Sequence, residues 1–150
     1  MSDIWEDIMS KVIQGQFDDV GLPKIEIGIC RDVHRLPEGQ IRASGIIDTG
    51  FSGFVQIPRK LATELHLTLR ATTTSMTLAD NRIVTRQAGY GIALLSGHPE
   101  GGVFYLDETF PHILLGMDFL RIFKRTLLVS ARDTIRLVDN ARLPHVLQHL

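Results

Sequence analysis

Asp48, Thr49 and Gly50 stand directly after Ile46 and Ile47, and this stretch carries the clearest chemistry in the chain. The two isoleucines read as the end of a buried strand, so the carboxylate that follows is delivered to the edge of a core. A carboxylate there is costly unless its charge is shared, hydrogen-bonded or used, which makes Asp48 a candidate acid or base. Thr49 offers a short hydroxyl for bracing it, and Gly50 lets backbone come close. The same three residue types also favour ordinary turns, so the triplet alone fits both readings. A second segment, Ile113-Leu114-Leu115-Gly116, repeats the theme of an apolar strand ending at a glycine.

Other chemistry-bearing residues fit simpler roles. The 6 histidines are scattered, and none forms a His-Glu-x-x-His zinc pattern. Ser52 follows Gly50, but Gly-x-Ser-Gly-Phe breaks the second half of the nucleophile-elbow pattern. Cys30 sits on an alternating strand and reads as a core or sheet residue. Asp118 reads as a carboxylate near a helix N-terminus, where it favours the helix dipole. No metal and no cofactor are expected.

The elements that must position Asp48 are mostly strands. Ile25, Ile27 and Ile29 alternate with Glu26, Gly28 and Cys30, the period of a half-buried strand. Asp32 to Gln40 reads as a connector, Ile41 to Ile47 as the strand that delivers Asp48, and Phe54 to Ile57 as a short strand. Pro58 is placed to open a helix whose buried face is Leu61, Ala62 and Leu65. Leu67 to Leu95 reads as a long hairpin interrupted at a polar tip, Ala79-Asp80-Asn81-Arg82. Ser96 to Gly102 reads as a second turn, followed by short strands Val103 to Leu106 and His112 to Leu115. Met117 to Phe123 has helical spacing, and Leu127 to Val129 pairs with Ile135 to Val138 as a hairpin. At the start, Ile4, Trp5, Ile8, Met9, Val12 and Ile13 recur at helical spacing and end at Gly15. The last ten residues fit either a tail or a short helix.

Length and charge narrow the function classes. A chain of 150 residues makes one domain with a real core. With 16 basic and 17 acidic residues, mixed along the chain, the formal net charge is −1. That balance gives no electrostatic reason to expect a nucleic-acid or membrane partner. No apolar run approaches the ~20 residues needed to cross a bilayer. A lone cysteine and a start without a signal-like pattern predict a cytoplasmic setting.

Taken in order, three segments resemble the retropepsin-like aspartic proteases, the single-domain retroviral type. Ile46-Ile47-Asp48-Thr49-Gly50-Phe51-Ser52-Gly53 is similar to the catalytic loop, Leu78-Ala79-Asp80-Asn81 to the flap tip, and Leu114-Leu115-Gly116-Met117-Asp118 to the segment entering the helix after the flap. The resemblance covers roughly Lys24 to Val138. Family members often carry Ala where Phe51 stands, and retroviral members an acidic residue near Gly53. Both departures bear on substrate preference and leave the aspartate in place.

The resemblance implies a mainly β, small closed barrel-like fold with short helices. It divides the chain into an N-terminal helix and linker over 1–23 and a protease domain over 24–150. It also implies an aspartic endopeptidase in which two aspartates share a proton around a water molecule. This chain holds one Asp-Thr-Gly, and a two-lobed enzyme with both aspartates needs about twice this length. The second Asp48 is therefore expected from an identical subunit, on a two-fold axis. Thr49 and Gly50 would complete the catalytic loop, and Leu78, Ala79, Asp80 and Asn81 would form the substrate-covering flap over a peptide. The alternative function is a dimerisation or peptide-binding module of the same fold with little or no hydrolysis.

Overall fold

The computed structural model describes residues 12–70, 74–77, 80–130 and 134–148. Its strands are β1 (Ile13–Phe17), β2 (Pro23–Cys30), β3 (Ile41–Ile47), β4 (Val55–Pro58), β5 (Thr74–Thr77), β6 (Ile83–Arg86), β7 (Ala88–Leu95), β8 (His98–Asp107), β9 (Ile113–Leu115), β10 (Arg125–Ser130) and β11 (Thr134–Asp139). Short helices α1 (Arg59–Glu64), α2 (Met117–Ile122) and α3 (Leu143–Leu147) fill the connections.

The main sheet runs β10-β11-β1-β2-β3-β9-β4-β8-β7, and β2 also pairs with β7. That extra pairing, Gly28 to Leu94 through Cys30 to Ile92, closes β2, β3, β9, β4, β8 and β7 into a ring. Closure removes the free edge that β7 would otherwise present, and leaves β10 at the end of the sheet. The mainly β, closed barrel-like architecture expected from the sequence is therefore present.

The alternation on β2 buries Ile25, Ile27 and Ile29 in the main core while Glu26 stays exposed. Gly28 and Cys30 are buried as well, because β7 and Leu36 cover their face with Ile92 and Leu94. The Cys30 thiol donates to the carbonyls of Asp32 and Gly39 at 3.3 and 3.4 Å. Phe54 anchors the core: its ring lies 5.7 Å from Phe119 in a stacked pair and 6.1 Å edge-on to Phe104. Each such buried ring contributes about 1.5–3 kcal/mol. Among the described residues, no helix is long and apolar enough to cross a membrane.

Four local expectations need correction. Ile13, expected at the end of the N-terminal helix, opens a strand instead. β1 pairs with β11 at Ile13–Leu137 and with β2 at Phe17–Pro23, so residues 13–17 join the sheet across the expected boundary at residue 24. The helical stripe from Ile4 to Met9 lies outside the described residues. Pro58 ends β4 and caps α1 rather than forming its first residue. The second turn is only Ser96-Gly97, and β8 begins at His98. Gly101 and Gly102 are strand residues: a Cβ there would fall 2.0 Å from the Tyr90 hydroxyl and 2.1 Å from the Phe54 ring. They are glycines because two aromatic rings lie on the backbone. The long hairpin is also shorter than read, with strands at Thr74–Thr77 and Ile83–Arg86 followed by β7. In the C-terminal segment, Leu143–Leu147 forms a helix around the buried Val146.

Candidate active site

β9 lies between β3 and β4, parallel to the first and antiparallel to the second. Its register sets Ile46 opposite Leu114 and Ile47 opposite Leu115. The ladder continues one residue further, where the Asp48 amide donates to the Leu115 carbonyl at 2.9 Å. Asp48 is thus fixed at the point where two parallel strands end together.

The chain turns immediately after it. Phe51 N–H donates to the Asp48 carbonyl at 3.1 Å, and Gly50 N–H donates to Asp48 Oδ1 at 2.9 Å. The other carboxylate oxygen accepts no hydrogen bond among the described residues. Asp48 is half-buried and Thr49 is exposed. Asp48, Thr49 and Gly50 therefore form one tight turn, with a carboxylate oriented by one oxygen and open at the other.

The first turn of α2 is tied to this loop. Gly116, Met117 and Asp118 donate their N–H groups to the carbonyls of Phe54, Phe51 and Gly53 at 3.1, 2.8 and 3.1 Å. A helix start leaves amides without intrahelical acceptors, and the loop carbonyls satisfy them here. This approach requires a glycine at 116, since a Cβ there would fall 2.2 Å from the Gly53 carbonyl oxygen and 2.6 Å from that of Phe51. Asp118 sits in the first turn, as expected, and pairs with Arg121. Phe51 is buried and meets Tyr105 edge-on at 5.8 Å. Burial pushes the Tyr105 phenol above its ordinary pKa, and the Asp118 charge adds to that.

Asp80 and Asn81 occupy the tip between β5 and β6, a two-stranded sheet separate from the barrel. Asp80 accepts from Arg82 N at 3.1 Å and Arg82 Nε at 2.6 Å, and Asn81 takes the left-handed conformation with φ of 65°. The backbone hydrogen bond from Arg82, then its side chain, holds the Asp80 pKa below the ordinary carboxylate value. Leu78 and Ala79 lie outside the described residues. Among the described residues, no hydrogen bond or ion pair joins the tip to the Asp48 loop.

A surface cavity of about 370 Å³ lies beside the strand that ends in Asp48, lined by Asp18, Lys24, Ser44, Ile46 and His112 among others. Apart from Ile46, sequence reading did not single out these residues. It also missed a polar joint at the base of the β5–β6 hairpin, made by Arg59, Arg86, Asp107 and Glu108. The Asp107-Glu108-Thr109 run carried a usable signal, because an aspartate two residues before a threonine favours a side-chain-capped turn. Thr109 N and Phe110 N do donate to Asp107 Oδ1, at 2.7 and 3.2 Å.

No protein-family model matches the sequence, and no curated protein matches it. Among solved structures, the chain is similar to the crystal structure of a retropepsin-like aspartic protease from Rickettsia conorii. The two share 16% identity with a TM-score of 0.56, over 84% of this chain and 89% of that one. At that identity the likeness is one of fold, and with the ring closed around β3 and β9 the chain has a retropepsin-like fold.

Proposed function

We propose that the protein is a homodimeric aspartic endopeptidase whose active site is built from two Asp48 carboxylates, one from each subunit. The observation that carries this reading is the Asp48 turn itself: a half-buried carboxylate at the joint end of β3 and β9, with one oxygen bound to Gly50 N–H and the other open. One carboxylate cannot both take a proton from a water molecule and donate one to the developing oxyanion. Two sharing a proton can. In the proposed cycle the ionised Asp48 accepts the proton of the attacking water while its protonated counterpart donates to the carbonyl oxygen. The roles then exchange to protonate the leaving amine.

The exposed Thr49 would contact the partner loop across the two-fold axis and hold the two carboxylates in register. Gly50 supplies the N–H that orients Asp48. The β5–β6 tip at Asp80 and Asn81, with Leu78 and Ala79 before them in sequence, would cover a peptide bound in extended form, with backbone pairing for affinity and side-chain pockets for selection. Ile46 lies two residues before Asp48, on the same face of the strand, so the cavity it lines would take a substrate side chain. A single buried cysteine suits a reducing, cytoplasmic setting.

The test is Asp48→Asn in the full chain, which keeps size and the acceptor for Gly50 N–H while removing the acid. Incubation with a diverse peptide pool, read by mass spectrometry, should show cleavage by wild type and none by the variant, with fold and dimer retained. Binding of peptides by wild type without cleavage would instead favour the dimerisation or peptide-binding module.

A further inference from the structure

The β5–β6 hairpin leaves the barrel at Arg86, the last residue of β6, and Gln87 leads directly into β7. At that base four charged side chains from three separate parts of the chain meet. Arg86 Nη2 lies 3.6 Å from Asp107 Oδ2, at the end of β8. Arg59, which opens α1, donates through Nε to both Glu108 oxygens at 2.9 and 3.0 Å. It also donates through Nη2 to Gln87 Oε1 at 3.1 Å. The Gln87 carbonyl accepts from Leu106 N at 2.9 Å, so backbone ties the same joint. Around these groups is a cavity of about 270 Å³.

The two ion pairs are not equivalent. Arg59 and Glu108 are each more than half exposed, at 51% and 58% of the side chain, and solvent screens them. Asp107 is 12% exposed and Arg86 28%, so their attraction is better protected. The two Asp107 oxygens divide the labour. Oδ1 accepts from Thr109 N, Thr109 Oγ1 and Phe110 N at 2.7, 2.9 and 3.2 Å, fixing the loop that runs to His112 and β9. Oδ2 faces Arg86. Arg86 Nε is buried and has no acceptor among the described residues, so Asp107 is the group that compensates this guanidinium.

We infer that Asp107 is a positioning residue: through Arg86 it anchors the base of the β5–β6 hairpin to the loop that enters β9. This rests on the proposed function for its consequence, because a hairpin that covers substrate must be hinged from a fixed base. One carboxylate then couples the hairpin to the loop that enters β9.

The test uses Asp107→Asn, which keeps an acceptor for the Thr109 and Phe110 amides and removes only the charge facing Arg86. Amide hydrogen exchange in the Ile83–Arg86 strand should quicken about five- to tenfold, with β3 and β9 unchanged. KM for a cleaved peptide should rise about three- to tenfold while kcat stays within about twofold. Arg86→Gln should reproduce both effects, Arg86→Lys should largely recover wild-type behaviour, and the double variant should be no worse than either single one. Wild-type exchange in β6 of Asp107→Asn, additive single effects, or a fall in kcat at constant KM would each overturn the inference. Exchange is readable without activity. Absence of cleavage by wild type would therefore contradict the proposed function, while quickened β6 exchange in both single variants would still uphold the anchor.

Discussion

The Asp48 amide is bonded to the Leu115 carbonyl at 2.9 Å, so the residue following β3 is held by the last residue of β9. Asp48 and Leu115 are far apart in sequence, yet this one contact places the carboxylate relative to the helix start at Gly116. It makes the apolar-apolar-glycine segment part of the site's architecture rather than a second, independent strand end.

Gly116→Ala should therefore damage the site from behind. The added methyl would meet two backbone carbonyl oxygens at 2.2 and 2.6 Å, and backbone cannot step aside as a flexible side chain would. A loss of about 2–4 kcal/mol is expected, measurable by urea denaturation. A midpoint within error of wild type would mean that the loop and the start of α2 are not in contact.

Much of this was readable in the sequence, because the signals were local. The alternation on Ile25 to Ile29, the run Ile41 to Ile47 into Asp48, and the helix after Gly116 each depend on neighbours a few residues apart. What escaped was set by distant partners. The β2–β7 pairing that closes the ring leaves no local signature. Ile13 carries helical spacing but pairs with Leu137 of β11, a tertiary override of local pattern. Gly101 and Gly102 looked like turn residues because only the folded chain brings Tyr90 and Phe54 against them. At the candidate site, Asp48, Thr49 and Gly50 were legible as a unit. The Arg86–Asp107 anchor was not, since its partners come from different hairpins.

Activity should follow a bell-shaped pH profile. The productive dyad carries one proton, so acid blocks it by protonating both carboxylates and alkali by removing the shared proton. The two limbs report macroscopic values belonging to the pair. The optimum is expected from acidic to near neutral, and a rate of peptide cleavage still rising above about pH 9 would contradict the dyad.

Acid stability should depend on Asp107. Burial opposes its charge, but the hydrogen bonds from Thr109 and Phe110 and the Arg86 charge outweigh it and hold its pKa below the ordinary 3.8. A carboxylate with a depressed folded-state pKa contributes stability above its unfolded value and loses it as pH falls through the folded one. Wild type should therefore lose stability as pH drops below about 4, and Asp107→Asn should lose less over that window. Equal slopes in urea titrations of the two proteins would contradict this.

The shared site is tested most directly by subunit mixing. Wild-type and Asp48→Asn chains are unfolded together, combined at a fixed total concentration well above the dimer dissociation constant and refolded to pair at random. Native mass spectrometry verifies the pairing. If each site needs Asp48 from both subunits, activity scales with the square of the wild-type fraction, and an equal mixture retains about a quarter of full activity. A linear dependence, with about half the activity in the equal mixture, would show that each chain acts alone and would contradict the two-subunit dyad.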